Sequence, residues 1–180
     1  MTEAKNQCKK VLFVIAQEEF RDEEFFIPKE IFETGGIEVT VAAESTETAK
    51  GVLGGTIKSD IRISEANASD YDAIVISGGP GSRKFLWNNE KLRLLVKKAY
   101  EQEKVLAAIC ISPVVLARAG VLEGKKSTVF RNPVTLRELE DSGALYEDRN
   151  VVVSGRVITG RDPESSKAFG KAVLDVLNIT

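Results

Sequence analysis

An apolar run that ends on a cysteine, Val105-Leu106-Ala107-Ala108-Ile109-Cys110, is followed at once by Ile111-Ser112-Pro113. Val105–Ile109 has the length and β-branched ends of a buried strand, and Pro113 suits the first turn of a helix over the apolar segment Val114–Ala119. Cys110 is therefore expected on a strand-to-helix turn. Small residues stand two positions away on either side, Ala108 and Ser112, where a nucleophile elbow leaves no room for bulk. A thiol facing a helix N-terminus meets unpaired N–H groups and partial positive charge, which predicts a lowered thiol pKa and a place to hold a developing oxyanion. The alternative for a free cysteine is plain space-filling in the core.

Two other stretches carry chemistry-bearing groups. One is the acidic run Gln17-Glu18-Glu19-Phe20-Arg21-Asp22-Glu23-Glu24, which also reads as a solvated charge run. The other is Gly78-Gly79-Pro80-Gly81, a turn where backbone can approach a ligand closely, or simply a turn. The chain has no histidine, so neither a cysteine–histidine dyad within the subunit nor one completed by an identical partner can form. The same absence, with only two cysteines, argues against a zinc site, and no cofactor is implied.

The elements that must position these groups follow from periodicity. Val11–Ala16 reads as a first buried strand, and Phe25, Phe26, Ile27, Ile31 and Phe32 mark one face of a helix stopping at Gly35-Gly36. Ile37–Ala43 is the next strand, and residues 51–63 alternate around Gly54-Gly55 as a hairpin or antiparallel excursion. Ala73–Ser77 is a short core strand emptying into the glycine turn, and Leu86–Gln102 reads as one or two helices. After the cysteine helix, which ends near Gly120, the pattern predicts a strand over Ser127–Phe130 and a helix over Val134–Ser142. A tight hairpin joins Val151–Ser154 to Val157–Thr159, and Asp162-Pro163-Glu164 opens a helix through Leu177. Strands alternating with helices predict an α/β three-layer sandwich with a mostly parallel sheet and helices on both faces. Ligands bind beyond the carboxyl ends of such strands, where the acidic loop, the Gly-Gly turn and Cys110 all fall.

With 180 residues and 43% hydrophobic content, the chain is expected to form one domain over 1–180, with residues 1–10 as a polar lead-in. A formal charge of −2 and the scattered lysine pairs Lys9-Lys10, Lys97-Lys98 and Lys125-Lys126 imply no nucleic-acid partner. Met1–Lys10 does not read as a signal peptide. The apolar run after it is far short of the roughly 20 residues of a membrane span, so no membrane partner and a cytoplasmic location are expected. Cys8 and Cys110 are then both expected as thiols.

Three segments resemble the ThiJ/PfpI superfamily: Val-Ile-Ser-Gly-Gly-Pro-Gly at 75–81, Ala-Ala-Ile-Cys-Ile-Ser-Pro at 107–113 with Ala-Gly-Val-Leu-Glu-Gly-Lys at 119–125, and Thr-Gly-Arg-Asp-Pro-Glu-Ser at 159–165. The resemblance runs in matching order from Val11 to Leu177. It implies a flavodoxin-like sandwich, related to class I glutamine amidotransferases, assembled as homodimers or larger rings. It also implies that Cys110 is the nucleophile and that Glu24, four places before Pro28, sets its carboxyl against the cysteine sulfur. Spacing alone does not separate Glu24 from Glu18, Glu19, Asp22 and Glu23. The family's oxyanion donors fall on the N–H groups of Gly79 and Ile111.

Two positions depart from the protease-like branch of the superfamily. Ile111 stands where that branch has a histidine directly after the cysteine, and Arg83 stands where it has a glutamate borrowed from a neighbouring subunit. Both changes disfavour an intracellular cysteine peptidase. The deglycase branch also lacks the first histidine, but carries a later one where this chain has Phe130. The implied activity is therefore a glyoxalase or protein deglycase, in which the Cys110 thiolate attacks a reactive carbonyl and Glu24 serves as acid and base. Its partners would be a small carbonyl substrate or a glycated protein. The alternative is a redox-sensing or chaperone-like stress protein, whose exposed, low-pKa Cys110 is oxidised.

Overall fold

The computed structural model describes residues 8–180. In chain order the strands are β1 (Lys10–Val14), β2 (Glu18–Phe20), β3 (Glu38–Ala43), β4 (Thr48–Gly51), β5 (Thr56–Lys58), β6 (Ile61–Arg62), β7 (Ala73–Ile76), β8 (Val105–Ile109), β9 (Lys126–Ser127), β10 (Leu145–Tyr146), β11 (Val151–Ser154) and β12 (Val157–Gly160). The α-helices are α1 (Asp22–Thr34), α2 (Pro80–Phe85), α3 (Glu90–Glu101), α4 (Pro113–Arg118), α5 (Pro133–Asp141) and α6 (Ser166–Ile179).

Seven strands form the main sheet in the order β11-β12-β8-β7-β1-β3-β6, parallel throughout except for the edge strand β11. A parallel sheet covered on both faces reads as unbroken apolar runs, which is why β7 and β8 are buried at every position. Helices α1 and α6 pack together on one face, and α3 and α4 cover β8 on the other. Under α1 the rings of Phe13, Phe20, Phe25, Phe26 and Phe32 stack edge-on or tilted, with centroids 4.9–6.0 Å apart. Such pairs add orientation to the area they bury. The predicted α/β sandwich is thus the observed one.

The register sets the site. Val14 pairs with Ile76, Ile76 with Ala108, and Ile109 with Gly160, so four neighbouring strands end at one level and their loops open on the same edge. Helix α1 begins earlier than its apolar face suggested. Asp22, Glu23 and Glu24 form its first turn, where three carboxylates favour the positive end of the helix dipole. The preceding Glu18–Phe20 is a short strand against β4 and not a free charged loop.

Two more expectations are corrected. The Gly-Gly turn is only two residues long: Gly79 at φ 103° reverses the chain, and Pro80 is already the first residue of α2, whose Ser82 N–H returns to the Gly79 carbonyl. The strand expected over Ser127–Phe130 is reduced to the two-residue β9, paired with β10. Past Ser127 the backbone bridges instead of pairing. The Thr128 N–H donates to Thr159 Oγ1, and the Phe130 N–H to the carbonyl of Cys110. The hairpin expected over 51–63 lies earlier, as β4 and β5 antiparallel about Gly54 at φ 94°, while Ile61–Arg62 pairs in parallel with β3 in the main sheet. Asp162 caps a 3-10 turn, Pro163–Ser165, before α6 begins.

Candidate active site

Cys110 is the first residue after β8 and adopts φ 65°, a left-handed conformation that costs a side chain of this kind about 1–3 kcal/mol. Two backbone hydrogen bonds hold it there. The Cys110 N–H donates to the Gly160 carbonyl at 3.0 Å, and its own carbonyl accepts the Phe130 N–H at 2.7 Å. The expected strand-to-helix turn is therefore formed, but Cys110 is only 7% exposed.

Glu24 lies in the first turn of α1 and is wholly buried. Its Oε2 accepts the Gly78 N–H at 2.9 Å, while Oε1 has no aligned hydrogen-bond partner among the described residues. Burial lifts this carboxyl from its ordinary 4.5 to about 7, against the opposing pull of hydrogen bonds from Cys110 and Gly78 and of the Arg21 charge. Gly78 has to be glycine for room. A Cβ there would fall 2.5 Å from Glu24 Oε2, 2.6 Å from Cys110 Cβ and 2.8 Å from the Ile109 carbonyl oxygen.

The thiol does not behave as the helix end predicted. Its pKa is raised, first by burial and then by the charge of Glu24 and a hydrogen bond to it. The Gly79 and Ile111 N–H groups both point at the sulfur and pull the other way, but do not outweigh the loss of solvent. α4 is only six residues long and begins at Pro113, so its dipole is small beside these effects. Protonation of this site belongs to the pair. Near neutral pH the sulfur keeps its proton while Glu24 is partly protonated. Cys110 is thus buried with its thiol pKa raised, where the redox reading expects an exposed thiol of lowered pKa.

Of the five acidic residues open at the level of spacing, the structure brings one to the sulfur. Glu18 and Glu19 are exposed. Glu23 is held by Arg21 through two contacts of 2.8 and 3.0 Å. Asp22 turns to the hairpin and accepts the N–H groups of Leu53 at 2.8 Å and Gly55 at 2.7 Å. Arg83 sets its guanidinium over the Trp87 ring at 5.5 Å, and Phe130 is half-exposed with its N–H on the cysteine carbonyl.

Reading the sequence missed Ser82 and Trp87, and it placed Gly78 and Ser112 at the site only as a turn glycine and a small residue beside the cysteine. The Trp87 Nε1–H donates to the Ile111 carbonyl at 3.0 Å, and the two serine hydroxyls lie buried between the Cys110 and Gly79 loops. Read only as a small residue of the turn, Ser112 gave no sign of the bond its hydroxyl makes. Cys8 lies apart, its sulfur against the Gly36 carbonyl beyond the amino end of β1. Among the described residues no cluster of three or more His, Cys, Asp or Glu could hold a metal ion, and no helix is long and apolar enough to cross a membrane.

The DJ-1/PfpI family model matches residues 9–176, and the chain belongs to that family. It is 51% identical over 168 residues to an uncharacterized protein of Methanocaldococcus jannaschii, covering 93% of this chain and 82% of that one. It is 32% identical over 168 residues to a deglycase of Pyrococcus horikoshii, covering 93% and 99%. It is 28% identical over 170 residues to a glutathione-independent glyoxalase of Caenorhabditis elegans, covering 94% and 89%. Among solved structures, a ThiJ/PfpI domain protein from Brachyspira murdochii superposes with a TM-score of 0.91 at 35% identity, covering 96% of this chain and 98% of that one. The flavodoxin-like fold expected from the resemblance is the fold found.

Proposed function

We propose that this protein is a cysteine-dependent enzyme acting on reactive carbonyls, of the glyoxalase or deglycase type, with Cys110 as nucleophile and Glu24 as acid and base. The observation that carries this reading is the coupling of a buried carboxyl, poised at about 7, to a thiol at the point where two backbone N–H groups converge. A carboxyl poised there both gives and takes a proton at working pH, the task a histidine performs elsewhere.

The Cys110 sulfur adds to the aldehyde carbon of a 2-oxoaldehyde such as methylglyoxal. The thiol proton passes through Glu24 to the carbonyl oxygen, and the Gly79 and Ile111 N–H groups stabilise the charge that builds there. Glu24 then takes the proton from the carbon bearing sulfur and delivers it to the neighbouring carbon by way of an enediol. The first carbon is thereby oxidised to a thioester as the second is reduced to an alcohol, with no outside electron carrier. Water cleaves the thioester, releasing the hydroxy acid and restoring the thiol. The same first adduct accounts for action on early glycation products of proteins. With this reading go a cytoplasmic location and a homodimer or larger homo-oligomer, which light scattering on the purified protein tests.

Conversion of methylglyoxal to lactate, followed by coupled assay, is expected for the wild type and is expected to vanish in Cys110→Ala and Glu24→Gln. A folded wild type without turnover refutes the proposal.

A further inference from the structure

We propose that Ser112, backed by Ser82, is a positioning residue that tunes Glu24 through a hydrogen-bond relay crossing the peptide between Ser77 and Gly78. The inference rests on Glu24 being the proton-handling group of the proposed reaction.

The relay is read from four buried groups. Ser112 Oγ lies 2.6 Å from the Ser77 carbonyl oxygen, which can only accept, so the Ser112 hydroxyl proton is committed there. Ser82 Oγ lies 2.7 Å from Ser112 Oγ. With the Ser112 proton already given away, Ser82 must be the donor in that contact. Ser77, Ser82 and Ser112 are all wholly buried, so no water competes for these bonds. The Ser77 carbonyl belongs to the same peptide unit as the Gly78 N–H, and that N–H donates to Glu24 Oε2 at 2.9 Å. Donation into a peptide carbonyl polarises the unit and strengthens what its N–H gives on the other side. Ser82, Ser112, the 77–78 peptide and Glu24 therefore form one chain of aligned donors ending on the carboxyl beside Cys110.

The same relay ties two loops. Ser112 directly follows Ile111, whose N–H points at the sulfur and whose carbonyl is gripped by Trp87. Ser82 lies in the first turn of α2, with its N–H on the Gly79 carbonyl. Joining these serines sets the spacing of the two N–H groups that face the sulfur. Cavity-lining lysines and aspartates around Cys8, by contrast, point to no ligand.

The charged and titratable groups that act on the Glu24 carboxyl are Cys110 from the β8–α4 elbow, Arg21 just ahead of α1 and Glu23 on α1 itself. Asp22, one turn position away, is engaged with the hairpin amides. None of these charges is removed with a serine hydroxyl, so a change in Glu24 titration that accompanies a shift of the Gly78 amide reports the relay.

The test is an NMR titration of the full-length protein labelled at the glutamate carboxyl carbons, with Glu24→Gln identifying the Glu24 resonance. In Ser112→Ala the Gly78 amide proton is expected to move upfield, and the Glu24 midpoint is expected to rise by about 0.3 as its donor weakens. Ser82→Ala, which removes only the outer link, is expected to move both in the same direction by less. It decides the matter if Ser112→Ala does not fold. Unchanged Gly78 and Glu24 signals in the folded variant overturn the relay. Neither readout needs turnover, so a wild type inert toward methylglyoxal would sink the proposed reaction while these signals still judged the relay.

Discussion

Gly78→Ala is the sharpest steric test of the site. Gly78 lies outside the left-handed region, so alanine carries no backbone penalty, and the whole effect comes from three contacts below 3.0 Å. Two of these, to the Ile109 carbonyl and to Cys110 Cβ, meet groups fixed by the β8 ladder and by the elbow hydrogen bonds. The third strikes Glu24 Oε2 itself. With two of the three neighbours fixed and the third a buried carboxyl, the cost should lie near the top of the range for overpacking, about 3 kcal/mol. For a chain of this length that corresponds to a melting point lower by about 9 °C. Displacing the carboxyl by about an ångström should also cost roughly a hundredfold in kcat for methylglyoxal turnover. Differential scanning calorimetry and the lactate assay read the two effects separately. A variant that melts with the wild type and turns over normally would refute the description of a cradle closed around glycine.

Glu24 also makes stability depend on pH in an unusual direction. Its folded pKa of about 7 stands above its ordinary 4.5, so between these values the native state holds a proton that the unfolded chain has released. Stability should therefore fall as pH rises through that window, by about 3 kcal/mol in all, and should level off above it. Glu24→Gln is expected to flatten this fall, as measured by urea denaturation between pH 5 and pH 8, about where the Cys110 thiol stays protonated in both states. An identical slope in the variant would contradict the burial of that carboxyl. Asp22→Asn should weaken the tie between α1 and the β4–β5 hairpin, costing about 2 kcal/mol for the loss of charge-assisted acceptance. Hydrogen exchange at the Leu53 and Gly55 amides should accelerate, and unchanged protection at both would count against the tie.

The parts of this molecule that were legible in advance are those governed by local pattern. Val105–Ile109 ending on Cys110 reads as a strand because five apolar residues with β-branched ends have nowhere to go but the interior, and Pro113 marks the helix beyond it. The identity of the carboxyl was not legible from spacing, since Glu18, Glu19, Asp22, Glu23 and Glu24 differ only in where α1 begins and which way its first turn faces. That depends on long-range pairing of β2 with β4 and on the Gly78 amide. The failed strand over Ser127–Phe130 has the same origin. Its Thr128 and Phe130 amides were claimed by Thr159 and Cys110, groups about thirty and twenty residues away that no local propensity weighs. The thiol's raised pKa was missed because a helix end is visible as a motif, whereas the loss of solvent is not.

The first turn of α1 gives three successive acidic residues three separate occupations: Asp22 fastens a hairpin, Glu23 clasps an arginine, and Glu24 enters the interior beside sulfur. Each step along a helix rotates the side chain by about 100°. Adding one residue between Ala16 and Asp22 would thus reassign all three posts at once and put Glu23 at the thiol, and deleting one would put Phe25 there. The length of that connection is as much a reagent here as any functional group, and evolution or design can vary its letters far more freely than its count.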